Sequence, residues 1–207
     1  MHMNSRGFSL IELLVVIAIM AALSIAVMSS FSISTSEAEL DGAAMDVISL
    51  LRKARQNAVT ILEHPERPGE YPSYGVYFDT ANGDTLILYA DCKADDDDSG
   101  QVDYVNDIFH FRIAACSGKG KIEETTLKHG ATITAIAFDS ADPANPATLD
   151  DFNVLYMRPE PTAWFSGTSG GPVTNLDAGT AHITISNTDG TQTRTVHINA
   201  AGLLTLD

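Results

Sequence analysis

Gly7-Phe8-Ser9-Leu10-Ile11-Glu12-Leu13-Leu14-Val15-Val16-Ile17-Ala18-Ile19-Met20 opens a run that stays almost free of polarity as far as Phe31. About 20 apolar residues rising about 1.5 Å each cross the roughly 30 Å hydrocarbon layer of a bilayer, so this length predicts one membrane-spanning helix. Glu12 interrupts the run near its start. An ionised carboxylate at membrane depth costs a few kcal/mol unless something pairs with it, so an acid there reads as a functional group. The single positive charge before the run, Arg6, holds the N-terminus in the cytoplasm and sends everything after Phe31 outward. A secretory signal shares the basic start and apolar core. Here the apolar run is longer than such a core, and Ala22-Leu23-Ser24 and Ala26 lie inside it rather than closing it as a cleavage site.

Arg6-Gly7-Phe8-Ser9-Leu10-Ile11-Glu12-Leu13 resembles the class III signal of type IV prepilins and type II secretion pseudopilins. The resemblance implies that a dedicated prepilin peptidase cuts after Gly7 and methylates the new terminal residue, Phe8. It also implies a partner for Glu12. In such filaments the glutamate of one subunit meets the terminal amine of its neighbour as the subunit is added, so the charge is stabilised in the assembly. A plain membrane anchor with an accidental glutamate is the bland alternative, and acids in such segments are rare.

Ser32-Ile33-Ser34-Thr35-Ser36-Glu37 is small and polar and marks where the same helix leaves the membrane. Beyond it Leu40, Ala43 or Ala44, Val47, Leu50 or Leu51, Ala54, Ala58 and Ile61 or Leu62 repeat at i, i+3, i+4 and i+7, the stripe of an amphipathic helix. That helix is expected to run to about His64, where Pro65 and Pro68 stop it, with Gly42 as a weak point. Ser49 to Ala58 is similar to the second-half helix of GspH/FimT-type pseudopilins and minor pilins, whose L-x-x-A-R-x-x-A pattern is met by Leu51, Ala54, Arg55 and Ala58.

After the turn-rich Pro65 to Ser73 come short strand candidates: Tyr74–Phe78, Thr85–Ala90, Ile108–Ile113, Lys121–Leu127, Thr132–Phe138 and Phe152–Met157. Asn82-Gly83-Asp84 signals a hairpin between the first two. The clearest alternation sets Ala181, Ile183 and Ile185 on one face and Thr180, His182 and Thr184 on the other. Asp189-Gly190 turns the chain into Thr193–Ala200, with Val196 and Ile198 inward, and Gly202–Leu206 ends the series. Local hairpins predict an antiparallel sheet whose apolar face is covered by the one-sided helix. The expected class is α+β with a pilin-like fold. Its parts are a leader at residues 1–7, a transmembrane and assembly half-helix at 8–31, an amphipathic half-helix at 32–64 and a β-rich head outside the membrane at 65–207.

Two stretches invite chemistry. Asp95, Asp97, Ser99 and Gly100 fit the opening of a calcium loop with Asp103 at its ninth place, while the twelfth place is Asn106 instead of the bidentate Glu. Crowded carboxylates suit Ca²⁺, and a solvated acidic turn is the simpler reading. Ser166-Gly167-Thr168-Ser169-Gly170-Gly171-Pro172 resembles the G-D-S-G-G-P nucleophile motif of chymotrypsin-like proteases, with Thr168 replacing the aspartate. A nucleophilic Ser169 needs a histidine base held by an acid. His64, His110 and His129 lack the family's context, His182 follows on a regular strand, and the other histidines lack ligand spacing, so the stretch reads as a Gly- and Ser-rich loop. Cys92 and Cys116 could close one disulfide outside the cytoplasm or stay as buried thiols.

A formal net charge of −15 makes nucleic acid a poor partner, and Arg194 is the one Lys or Arg in the last thirty residues. The residues together favour a non-enzymatic assembly subunit of the inner membrane. Its expected partners are other pilin or pseudopilin subunits, the prepilin peptidase, an inner-membrane assembly platform and lipid. A minor pilin whose head serves adhesion or DNA uptake, and a membrane-anchored hydrolase using Ser169, are the competing classes.

Overall fold

A computed structural model describes residues 10–66, 68, 69, 71–91, 120–139, 147–157, 162–169, 174–176 and 179–207, and of residues 26–34, 174 and 175 the backbone alone. One long helix, α1 (Leu10–Val59), precedes eleven described strands. The chain divides into two compact units, Met1–Ala38 and Glu39–Asp207. In the first unit the helix carries large apolar side chains that face solvent, from Leu10 at 82% exposed to Ile25 at 72%.

The second unit combines the rest of α1 with two antiparallel sheets. In order across the first sheet stand β3 (Lys121–Thr126), β2 (Thr85–Asp91), β1 (Ser73–Asp79), β6 (Asp151–Tyr156), β7 (Ala163–Thr168) and β8 (Thr174–Leu176). The second runs β11 (Leu204–Leu206), β10 (Thr193–Asn199), β9 (Thr180–Ser186), β4 (Thr132–Asp139) and β5 (Ala147–Leu149). Two sheets stand where the strand pattern suggested one. After β3 the chain leaves the first sheet, and β4 pairs with β9 instead of its neighbour in sequence. Each sheet has one largely apolar face, and packing those faces into one core removes both from water.

That core is set by period-two alternation in the strands and by the helical stripe. Tyr74, Val76 and Phe78 of β1, Leu86 and Leu88 of β2, and Phe152, Val154 and Tyr156 of β6 are buried with Ala181, Ile183 and Ile185 of β9 and Val196 and Ile198 of β10. Leu40, Ala43, Ala44, Val47, Leu50, Leu51, Ala54 and Ala58 of α1 belong to the same cluster. Phe138 of β4 meets Phe165 of β7 edge-on at 5.5 Å, an aromatic contact from one sheet to the other. A bulge between Ile133 and Ala135 lets Ile133 and Ile136, three residues apart, both point inward.

Backbone bonds stitch the sheets at both ends. The Ile133 N–H donates to the Gly83 carbonyl at 2.7 Å, and the Ala163 N–H to that of Ala200 at 2.9 Å. A Cβ on Gly83 would lie 2.4 Å from the Ile133 carbonyl oxygen, so this corner of the β1–β2 hairpin closes with glycine alone. On the opposite face of the first sheet Tyr89 and Leu155 are buried with Tyr77, Ile87 and Met157 against them, and burial pushes the Tyr89 phenol well above its ordinary range.

The helix ends five residues short of the expected His64. Ile61 takes φ 52°, its N–H donates to Ala58 at 3.2 Å, and the Leu62 N–H reaches Asn57 at 3.0 Å. Those two bonds form a Schellman cap that satisfies the last carbonyls before either proline is reached. Ile61 and Leu62 consequently leave the buried stripe, at 50% and 46% exposed. Gly42 does not interrupt the helix, and nothing lies within 4 Å of a Cβ placed on it. Gly42→Ala is therefore expected to raise the stability of the second unit by about 1 kcal/mol, measured by urea or thermal unfolding.

Candidate functional site

Within its exposed apolar stretch, Leu10 to Ile25, the helix of the first unit carries a carboxylate. Glu12 lies in the first described turn of α1. Around it Leu10, Ile11, Leu13 and Leu14 are 82%, 65%, 59% and 56% exposed, and the apolar exposure continues through Val15, Val16, Ile17, Ile19, Met20 and Leu23 to Ile25. A contiguous apolar surface of this kind marks a partner or lipid interface. Among the described residues no helix is long and apolar enough to cross a membrane. The described side chains of this half stop at Ile25, short of the about 20 that a span requires.

Polar contacts tie the second half of α1 to the strands of its own unit. Arg194 of β10 donates from Nε to Asp41 at 2.6 Å, Lys53 pairs with Glu123 of β3, and His129 stands 3.4 Å from Glu39. Arg55 Nη1 reaches the Gly202 carbonyl at 3.4 Å. Burial pushes the Tyr156 phenol up, and the charge of Arg55 opposes that shift in part. Arg194 is thus paired with an acid of the helix.

Several sequence candidates fall outside the described residues: the processing pair Gly7 and Phe8, the acidic loop Asp95, Asp97, Ser99 and Asp103, the cysteines Cys92 and Cys116, and the strand candidate at 108–113. The protease-like stretch is described in its first part. Ser166, Gly167 and Thr168 belong to β7 of the first sheet, with Ser166 fully buried, so this part is strand and not the expected loop. Gly167 is held close to the Asp151 carbonyl oxygen, which a Cβ would approach to 2.6 Å. Ser169 follows as an exposed bend. His182 lies on the second sheet, and both its ring nitrogens are engaged elsewhere: Nε2 with Asp139 at 2.8 Å and Nδ1 with His197 at 2.6 Å. The relay that a serine nucleophile requires is not assembled from Ser169 and His182.

That second engagement escaped sequence reasoning, although its signal was available. A hairpin centred on Asp189-Gly190 pairs residues in a fixed register, and this register sets His182 directly opposite His197. The turn itself is well fixed: the Thr191 hydroxyl and backbone N–H bond the Asp189 carboxylate and hold it below its ordinary range. Beyond His197 the chain of bonds continues from its Nε2 to Asp207 at 2.9 Å. Asp207, His197, His182 and Asp139 therefore form one polar row across β11, β10, β9 and β4, with Asp207 following the end of β11. A cavity of about 360 Å³ lined by Thr180, His197, Asn199, Leu203, Thr205 and Asp207 opens beside the row.

No curated protein and no solved structure matches the chain. A family model described as the prokaryotic N-terminal methylation motif matches residues 2–28, which include Gly7, Phe8 and Glu12. The motif supports a type IV pilin-like protein of the membrane-anchored, structural kind and suggests interaction with other pilin subunits and the prepilin peptidase.

Proposed function

We propose that this chain is a pseudopilin or minor pilin of the GspH/FimT type, a structural subunit of a type II secretion pseudopilus or a type IV pilus. It is cut after Gly7, methylated on Phe8, stored as a single-pass protein of the inner membrane with its N-terminus in the cytoplasm, and then stacked into a fibre through α1. The observation that carries this reading is the methylation motif at residues 2–28, whose greater part is an exposed apolar helix with Glu12 in its first turn. The buried stripe from Leu40 to Ala58, in one core with the strands, supports a head carried on the second half of that helix.

The role is mechanical. In storage, lipid covers the apolar half; in the fibre, the same half of neighbouring subunits covers it, so little apolar area changes its exposure to water. The step then turns on polar terms, above all the Glu12 carboxylate and the amine released on Phe8. Work for extraction comes from an assembly platform and its motor. Incorporation into sheared fibres tests the reading: wild-type protein enters them with other pilin-type subunits, and a subunit deprived of the Glu12 carboxylate stays in the membrane.

A further inference from the structure

The paired histidines of the second sheet pose a problem of proton bookkeeping. Nε2 of His182 faces Asp139 and Nε2 of His197 faces Asp207, at 2.8 and 2.9 Å. An ionised carboxylate only accepts, so each Nε2 carries the hydrogen and each neutral ring is left with a bare lone pair on Nδ1. Those two Nδ1 atoms stand 2.6 Å apart. Two lone pairs at that distance repel unless they share a proton, as when one of the rings is protonated, or a metal ion lies against both.

The geometry points to a two-histidine site for a tetragonal divalent transition metal, Cu²⁺ foremost, bound by Nδ1 of His182 and of His197. Each ring is already turned by a carboxylate behind it, the arrangement that fixes tautomer and orientation and raises the basicity of a metal-bound imidazole. Two nitrogens at about 2.0 Å from a metal lie about 2.8 Å apart in cis positions of a square and about 3.3 Å apart on a tetrahedron. The observed 2.6 Å is close to the first and demands a much larger parting of the rings for the second, so Cu²⁺ or Ni²⁺ fits better than Zn²⁺.

The rest of the coordination sphere is open to solvent. Both imidazoles are about a quarter exposed, and the cavity beside His197 gives water access to remaining positions. Backbone placement is firm, since His182 and His197 are directly opposed in the β9–β10 register, and β4 on one side and β11 on the other carry or lead into the two acids. A net charge of −15 further concentrates cations at the surface.

Titrating the full-length protein in detergent with Cu²⁺, followed by electron paramagnetic resonance, tests the site. One Cu²⁺ per chain with hyperfine coupling to two imidazole nitrogens is expected. His182→Gln and His197→Gln should each weaken binding at least tenfold and remove one of the two couplings. Asp139→Asn, which leaves both ligands in place, should weaken binding about 10- to 100-fold and shrink the rise in unfolding temperature that Cu²⁺ gives the wild type. Two results overturn the proposal. One is a wild-type spectrum without nitrogen coupling, the behaviour of a pair that shares only a proton. The other is an unchanged spectrum in folded His182→Gln and His197→Gln, which would place the copper elsewhere on the chain.

Discussion

Glu12→Ala is expected to lower incorporation into fibres by at least tenfold while membrane insertion stays equal or improves. Removing a carboxylate from an apolar segment relieves a cost of about 2.5–3.5 kcal/mol at the centre of a membrane helix, less near the interface. The membrane-stored form gains from the change, so reduced insertion cannot explain lost assembly. In the fibre, on the function proposed above, the same change deletes the partner of the Phe8 amine. A pair worth about 2 kcal/mol in a desolvated setting is a factor of about 30 in an equilibrium constant, and the gain in lipid adds to it. Glu12→Gln separates charge from shape, since it keeps the size of the side chain and should assemble as poorly as Glu12→Ala. The amount of each variant in sheared fibres relative to the membrane fraction is the measurement, and equal ratios for wild type and Glu12→Ala would contradict the mechanism.

Leu51→Ala should cost about 3 kcal/mol of stability, within the range of about 2–5 kcal/mol for emptying a buried leucine site. Leu51 is fully buried in the shared core, in the middle of the stripe formed with Val47, Ala54 and Ala58. A domain of this size loses roughly 2–4 °C of unfolding temperature per kcal/mol, so a fall of about 6–12 °C follows. Met45, on the same helix and 54% exposed, is the control, and Met45→Ala should stay within about 0.5 kcal/mol of wild type. Thermal unfolding of both variants in detergent checks the pair. Similar small losses at the two positions would mean that the helix does not contribute its stripe to the core.

How much of this was legible in the sequence depended on the range over which each signal acts. Period-two alternation at Ala181, Ile183 and Ile185 and the hairpin turns at Asn82-Gly83 and Asp189-Gly190 are local, and β1, β2, β9 and β10 lie where those residues place them. The helical stripe from Leu40 to Ala58 is equally local, and every member of it is buried. The helix end was misplaced because prolines at 65 and 68 looked like the stop, whereas Ile61, a residue that seldom adopts positive φ, closes the cap first.

Short strands escaped for a different reason. β5 and β8 are three residues each, too brief to show a period, and Ser166 and Gly167 of β7 look like loop residues until the Asp151 backbone is seen to demand a glycine at its side. Division into two sheets was hidden because the β4–β9 and β1–β6 pairings join segments far apart in the chain, which no local pattern encodes. The His182–His197 pair sits between these extremes. Its register followed from a turn already recognised, but the flanking acids Asp139 and Asp207 arrive from other strands, and only the folded chain brings all four together.

For Glu12 the sequence was sufficient to identify the residue, and the partner proposed for it, the Phe8 amine of a neighbouring subunit, lies outside the described residues. The account therefore rests most directly on whether that partner is ever made. Intact-mass analysis of the protein isolated from its native membrane decides this. The account predicts a mature chain that has lost Met1 to Gly7, begins at Phe8 and carries one added methyl group. A product that still begins at Met1 would contradict it.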